Sequence, residues 1–319
     1  MKVVRDLREI GFDKNTVATV GTFDGVHLAH REIIRRVVEL AHAKNGRSVV
    51  VTFDPHPREV VGPDPASVRI LTTIEERQQE CEALGVDLFF IIPFDTSFSK
   101  QSPQEFYERY LVRGTGVACV FEGFDHHWGH NREGNIDRLQ TLGNEFDFEV
   151  VAVNPVSVDG RLVNSSTIRQ DLSEGRVEEA ARLMGRPYTL RGKVVEGERR
   201  GRILGYPTAN LELDSPRKLI PKNGIYLAEV THRHDAHAGM LSIGVRPTFY
   251  DDGRRTIEVN LLDFDENLYE EWLTVSVLRR LRDELKFGTR EDLVKQMKKD
   301  EQETRRILED RRRQQTATK

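Results

Sequence analysis

His27 and His30 stand three residues apart, just after Gly21-Thr22-Phe23-Asp24-Gly25, and a β-rich run, Thr16–Val20, precedes that turn. An amphipathic stretch from about His30 to Lys44 follows. Glycines between a strand and a helix let the backbone approach a ligand closely, and a helix start offers free N–H groups to an anion. At a spacing of three, both imidazoles point the same way on the first helical turn. There they can donate hydrogen bonds to a phosphoryl group and to the charge that grows on it under attack. A bare HxxH pair would read as two surface histidines. The strand and the FDG ahead of this one favour an anion site.

A second group runs from Gly192-Lys193-Val194-Val195-Glu196-Gly197 into Gly201-Arg202-Ile203-Leu204-Gly205-Tyr206-Pro207-Thr208-Ala209-Asn210. Val194 follows Gly192-Lys193 where a Walker loop requires Ser or Thr, so a Walker-type site is excluded. The glycines could still form a flap over phosphates. Thr208 and Asn210, two apart, project to one side of an extended segment, and their oxygens suit Mg²⁺. Alone, this block would be a glycine-rich hairpin with polar edges. A third block, Asn164-Ser165-Ser166-Thr167-Ile168-Arg169, would alone be a helix N-cap. Seven of the ten histidines lie in the first 130 residues, and Asp125-His126-His127 among them could bind zinc or manganese. The carboxylate-rich second cluster of a two-metal phosphoesterase is missing, which leaves the metal reading a minor one.

These groups need rigid elements to hold them. Short apolar runs at Thr16–Val20, Ser48–Phe53, Leu88–Ile92, Val117–Phe121 and Phe148–Val153 alternate with helix-like stretches. That alternation predicts a doubly wound parallel sheet, with ligands beyond the carboxyl ends of the strands. The rhythm changes at Gly185-Arg186-Pro187. Closely spaced strand candidates follow, at Leu190–Val195, Ile225–Val230, Met240–Gly244, Ile257–Leu262 and Leu273–Val277, and they predict a small antiparallel β-barrel. A charged helix is expected from Arg290 to Arg313. The expected domains are therefore 1–184 and 185–319. At 319 residues, two cores are the natural expectation. A net charge of −4 argues against nucleic-acid binding, and no run approaches membrane-spanning length. Cys81 and Cys119 form no paired motif and read as reduced thiols in a cytoplasmic protein.

The blocks together resemble the signatures of bacterial bifunctional riboflavin kinase/FMN adenylyltransferases, also called FAD synthetases. Gly21 to His30 is similar to the family's GxFDGxHxGH, with Ala29 where Gly is usual. Gly123-Phe124-Asp125 to Gly129, and 164–169 with Asn164 for the first Ser, match two further blocks of its adenylyltransferase half. The PTAN run at Pro207–Asn210, Ile257-Glu258-Val259-Asn260, and Leu281-Arg282-Asp283-Glu284 match its kinase half. The resemblance spans about Thr16 to Asp300. It implies an HxGH-type nucleotidyltransferase domain followed by a flavokinase barrel, phosphorylating riboflavin to FMN and then adenylylating FMN to FAD with ATP and Mg²⁺. FMN and FAD would be substrate and product rather than prosthetic groups.

The resemblance also implies roles. His27, His30 and Arg169 would be catalytic, with Gly21, Thr22, Phe23, Asp24, Gly25, Ser165 and Ser166 around ATP. Asp54, His56, Pro57 and Asp125 would line the flavin. In the kinase, Glu258 would be the general base and Thr208 and Asn210 the metal ligands. Gly197, Arg202, Gly205 and Pro207 would bound ATP, and Arg282 and Asp283 the flavin. The partners would be small molecules only, for a monomer or weak homo-oligomer. Two rivals stand beside this reading: a riboflavin kinase whose adenylyltransferase site is weakened at Ala29 and Asn164, and a nucleotide-sensing or RNA-binding module.

Overall fold

In the computed structural model, which describes residues 1–123, 135–197, 205–245 and 255–317, the chain divides into two compact units, Met1–Ser165 and Ser166–Lys319. The first is built on six strands: β1 (Lys2–Val4), β2 (Thr16–Val20), β3 (Ser48–Asp54), β4 (Leu88–Pro93), β5 (Val117–Gly123) and β6 (Glu149–Val153). They form one parallel sheet in the order β1-β4-β3-β2-β5-β6. Its helices are α1 (Leu28–Ala43), α2 (Pro57–Val61), α3 (Ile74–Ala83), α4 (Pro103–Phe106), α5 (Arg113–Thr115) and α6 (Ile136–Phe146), with a π-helical stretch at Tyr107–Val112.

Strand residues alternate between two apolar layers, as period two requires. Val50, Phe89 and Ile91 pack with Ile34 and Val38 of α1 and Cys81 of α3. Val49, Val51, Phe90 and Ile92 pack instead with Phe106, Tyr107 and Leu111, and with Leu139 and Leu142 of α6. Burying both faces explains why these strands read as runs dominated by apolar and β-branched residues. From β2 the chain steps through β3 and β4 to one side, and β5 and β6 lie on the other. The order therefore reverses between β2 and β5, where a crevice opens beyond the strand ends in this class of sheet.

The second unit begins within α7 (Ser165–Glu174), whose first residue belongs to the first unit, and continues through α8 (Val177–Met184). A small hairpin, β7 (Ser157–Val158) with β8 (Arg161–Leu162), precedes α7. The barrel comprises β9 (Tyr188–Val195), β10 (Ala209–Leu213), β11 (Gly224–His232), β12 (Asp235–Val245), β13 (Arg255–Leu261) and β14 (Trp272–Arg282), closed in the order β10-β13-β12-β11-β14-β9. In β9 every second residue is buried, from Tyr188 to Val194, as expected of a wall with one face inward. The final helix, α9, spans Arg290–Ala317 and so runs past Arg313.

Candidate active sites

The turn leaving β2 is held in a conformation that few sequences accept. Phe23 and Val26 have φ of 46° and 37°, and Gly25 has 96°. A Cβ on Gly25 would lie 2.9 Å from Leu71 Cδ1, so glycine is needed there on two grounds. Asp24 holds the turn from below. Its buried Oδ1 accepts hydrogen bonds from the backbone N–H of Leu71 (2.8 Å) and Thr72 (2.9 Å), and Gly25 N–H donates to Thr72 Oγ1 (2.8 Å). The carboxylate thus ties the turn to the start of α3.

His27 is the N-cap of α1, its Nδ1 accepting from His30 N–H at 3.4 Å. In the neutral ring that bond assigns the proton to Nε2. The His30 ring stacks on His27, with centroids 3.6 Å apart and planes 17° apart, and Phe23 meets His30 edge-on at 5.2 Å. The two imidazoles therefore form one slab at the positive end of a 16-residue helix, the place where anionic charge is best stabilised. Ala29 sits in the first turn of α1 with helical backbone, so its methyl strains nothing. Ser165 Oγ donates to the Asp24 carbonyl at 2.8 Å, which brings Ser165 to the same turn. Ser166 and Arg169 follow on the first turns of α7.

The second loop leaves β3. Asp54 meets Arg5 at 3.3 Å, and buried His56 caps α2 by accepting from Arg58 N–H at 3.1 Å, with Pro57 as the first helical residue. Asp125 and Arg202 lie outside the described residues. One residue that sequence reasoning missed joins the two loops. Arg77 of α3 is 2% exposed, and its Nη1 donates to Thr22 O (2.8 Å), Thr52 Oγ1 (3.1 Å) and Phe53 O (3.3 Å). Burial lowers its pKa, and Asp24 and Asp54 act against that.

In the barrel, β10 lies antiparallel to β13 with Asn210 directly opposite Glu258. Opposed residues project to one face, which puts both polar ends together. Thr208 Oγ1 donates to Glu258 Oε2 at 3.1 Å and completes the group. Each residue of the approach is held by a different element. Tyr206 Oη donates to Glu301 of α9 at 3.0 Å, and Asn260 Nδ2 donates to Pro207 O at 2.7 Å. Burial, then the Glu301 carboxylate, raises the Tyr206 pKa. Gly205 takes φ of 82° ahead of them. Arg282 spends its fork on Asp300 of α9 (2.6 and 2.9 Å), and Asp283 receives Arg280 at 2.7 Å. Among the described residues no cluster of three or more His, Cys, Asp or Glu side chains could hold a metal ion.

Two family models match in tandem: one described as FAD synthetase over residues 10–167, and one described as riboflavin kinase over residues 184–308. A bifunctional riboflavin kinase/FMN adenylyltransferase of Listeria monocytogenes is 40% identical over 92% of each chain. Its namesake in Escherichia coli K12 is 32% identical over 94% of this chain and 96% of its own. A crystal structure described as a macrolide-efflux protein from Streptococcus pneumoniae superposes with a TM-score of 0.86 at 33% identity, covering 95% of this chain and 98% of that one. Among the described residues no helix is long and apolar enough to cross a membrane.

Proposed function

The chain belongs to the bifunctional riboflavin kinase/FMN adenylyltransferase family, and from that membership we propose how its own residues divide the two reactions. It is a riboflavin kinase and an FMN adenylyltransferase. Tandem matches to both family models favour two working halves over a lone kinase. Residues 1–184 are assigned to adenylyl transfer and 185–319 to the kinase. Two buried free thiols accord with a reducing, cytoplasmic setting.

In the kinase, Glu258 accepts the proton of the ribityl 5′-hydroxyl as that oxygen attacks the γ-phosphorus of ATP, and ADP leaves. Thr208 and Asn210 offer hard oxygen donors that suit Mg²⁺. The Thr208 hydroxyl gives its proton to Glu258 and keeps its lone pairs for a cation. Bound there, Mg²⁺ would neutralise charge on the transferring phosphates. Gly197, Arg202, Gly205 and Pro207 border the nucleotide. Arg282 and Asp283 shape the flavin end through Asp300 and Arg280, the partners their charged ends already meet.

In adenylyl transfer, an FMN phosphate oxygen attacks the α-phosphorus of a second ATP, the α–β bridge breaks and pyrophosphate leaves. His27, His30 and the N–H groups opening α1 stabilise the charge gained at the α-phosphate. Ser165, Ser166 and Arg169 hold the departing pyrophosphate, a planar guanidinium matching that anion. The backbone of Gly21, Thr22, Phe23 and Gly25 bounds ATP, and Asp24 keeps it in place. Asp54, His56, Pro57 and Asp125 line the flavin side.

The observation that carries the residue-level reading is the Thr208–Glu258 hydrogen bond with Asn210 opposite Glu258. Pure protein with riboflavin, ATP and Mg²⁺ should yield FMN first and then FAD, resolved by chromatography. FMN that accumulates without FAD would leave a lone kinase, and neither product would end the reading.

A further inference from the structure

The ladder between β2 and β3 stops where β2 releases its loop, three residues before the end of β3. The strands pair from Val17↔Ser48 to Val20↔Val51, and a final bond runs from Gly21 N–H to Val51 O. Beyond it, β2 enters the turn that leads to His27, while β3 runs on beside β4 to Asp54 and then enters the Asp54–Pro57 loop. The sheet itself no longer fixes their separation.

Arg77 takes over at that point. A single guanidinium nitrogen, Nη1, donates to Thr22 O on one side and to Thr52 Oγ1 and Phe53 O on the other. Thr52 Oγ1 also donates to Thr22 O at 3.3 Å, so the bridge is doubled. The start of α3, which carries Arg77, is anchored to the same turn through the Leu71 and Thr72 N–H bonds to Asp24. Arg77 Nε returns to Thr73 O, the N-cap of its own helix. A guanidinium buried this far is costly to desolvate, and a well-packed apolar side chain often serves stability as well or better. What an apolar side chain cannot do is grip carbonyls from two diverging strands at once.

We infer that Arg77 is a positioning residue for adenylyl transfer, one that fixes the nucleotide turn at a set distance from the flavin loop. The inference rests on the adenylyl-transfer reading of the first unit. Arg77 holds the two substrates' loops in register without touching either substrate. Its loss therefore lowers turnover more than it lowers the binding of ATP or FMN alone. A misplacement of about 1 Å can cost on the order of 10²-fold in rate.

The test compares Arg77→Met and Arg77→Lys with the unmodified full-length protein. The readouts are kcat for FMN adenylylation, separate calorimetric Kd values for ATP and FMN, kcat for riboflavin phosphorylation, and Tm. Arg77→Met should lose on the order of 10²-fold in FAD formation, while each Kd stays within about threefold and FMN formation is unchanged. Arg77→Lys, which keeps a donor but not the fork, should recover part of the loss. If Arg77→Met does not fold, Arg77→Lys carries the test with an intermediate kcat at unchanged Kd values. Wild-type kcat in a folded variant would overturn the inference. So would a kcat loss matched by equal weakening of both Kd values, since that is general damage to the unit. His27→Ala with His30→Ala separates the two levels. If the pair still makes FAD, the site assignment itself fails. If the pair is dead while both Arg77 variants turn over normally, only the positioning role fails.

Discussion

The side-chain amide of Asn210 lies against the α-carbon of Gly197, so closely that a Cβ built on Gly197 would fall 2.1 Å from Asn210 Nδ2 and 2.8 Å from Oδ1. Glycine at 197 is therefore a condition for the Asn210 rotamer, and Asn210 stands opposite Glu258. Gly197→Ala should push the amide off the shared face and cut riboflavin phosphorylation by about 10²-fold. FMN supplied from outside should still become FAD at the normal rate. Steady-state assays of the two half-reactions check this, and normal FMN formation in the variant would show that Asn210 can lie elsewhere without loss.

His27 caps α1, and the chemical task proposed for it can be separated from that cap by two substitutions. His27→Ala removes the imidazole and the N-cap of α1 together, which costs about 1 kcal/mol of stability. Asn is a good N-cap, so His27→Asn should hold Tm near that of the unmodified protein. Both variants should lose on the order of 10²-fold or more in FAD formation and keep FMN formation. Restored FAD synthesis in His27→Asn would reduce His27 to a helix cap.

The proposed boundary between kinase and adenylyltransferase gives a third prediction. Arg279 Nε meets Glu178 at 3.4 Å, Lys222 N–H donates to Leu172 O at 2.9 Å, and a Cβ on Gly175 would strike Arg280 at 2.6 Å. The helices α7 and α8 are thus seated on the barrel, with Leu172, Val177, Ala180, Leu183 and Met184 buried. A fragment 166–319 should fold and phosphorylate riboflavin. A fragment 186–319 exposes apolar surface worth roughly 1.5–3 kcal/mol for each larger side chain, and should melt roughly 10 °C or more below it. Thermal unfolding of the two fragments side by side decides the matter.

Most of the architecture was legible because burial writes a period into the chain. The five long parallel strands are runs dominated by apolar and β-branched residues, and α8 shows its face every three to four residues. Four strands escaped, among them the two-residue β7 and β8. β1 has only Lys2, Val3 and Val4, too few for any period. β10 begins two residues after Pro207, inside a run whose glycines dominate the reading. The π-helical stretch Tyr107–Val112 has no signal of its own in the residue types that an α-helix would not also show. Candidate site residues were found where their types crowd together, as at 21–30 and 206–210. The residues that hold them were not. Arg77 satisfies Thr22 from 55 residues away and Tyr206 reaches Glu301 across 95, and no local pattern records which distant acceptor a charge or hydroxyl will meet.

The two cysteines should be chemically silent in the folded protein. Cys81 and Cys119 are fully buried, and burial pushes each thiol up to about 12. The nucleophile is the thiolate, which is scarce at pH 8 when the thiol titrates four units higher. Iodoacetamide at pH 8 should leave both unmodified by mass spectrometry until denaturant is added, after which both should react. Rapid labelling of either in the native protein would mean that its layer opens readily.

Glu258 receives the sharpest prediction, because its carboxylate has two tasks on the same face. It accepts a hydrogen bond from the Thr208 hydroxyl at 3.1 Å, which orients Thr208, and as the proposed base it would accept the riboflavin proton as well. Two oxygens allow both. Glu258→Gln keeps one carbonyl oxygen for Thr208 and preserves the volume, so the Thr208–Asn210 arrangement should survive. The amide has no basicity, and loss of a general base costs roughly 10²- to 10⁴-fold in rate. FMN formation should therefore fall by that amount while riboflavin and MgATP Kd values stay nearly constant, and added FMN should still become FAD. Calorimetry with single-turnover kinase assays reads both quantities. Full turnover in Glu258→Gln would leave the residue only its hydrogen bond to Thr208. A loss confined to riboflavin binding would make it a flavin contact, and the proton would have to pass to another acceptor or to water.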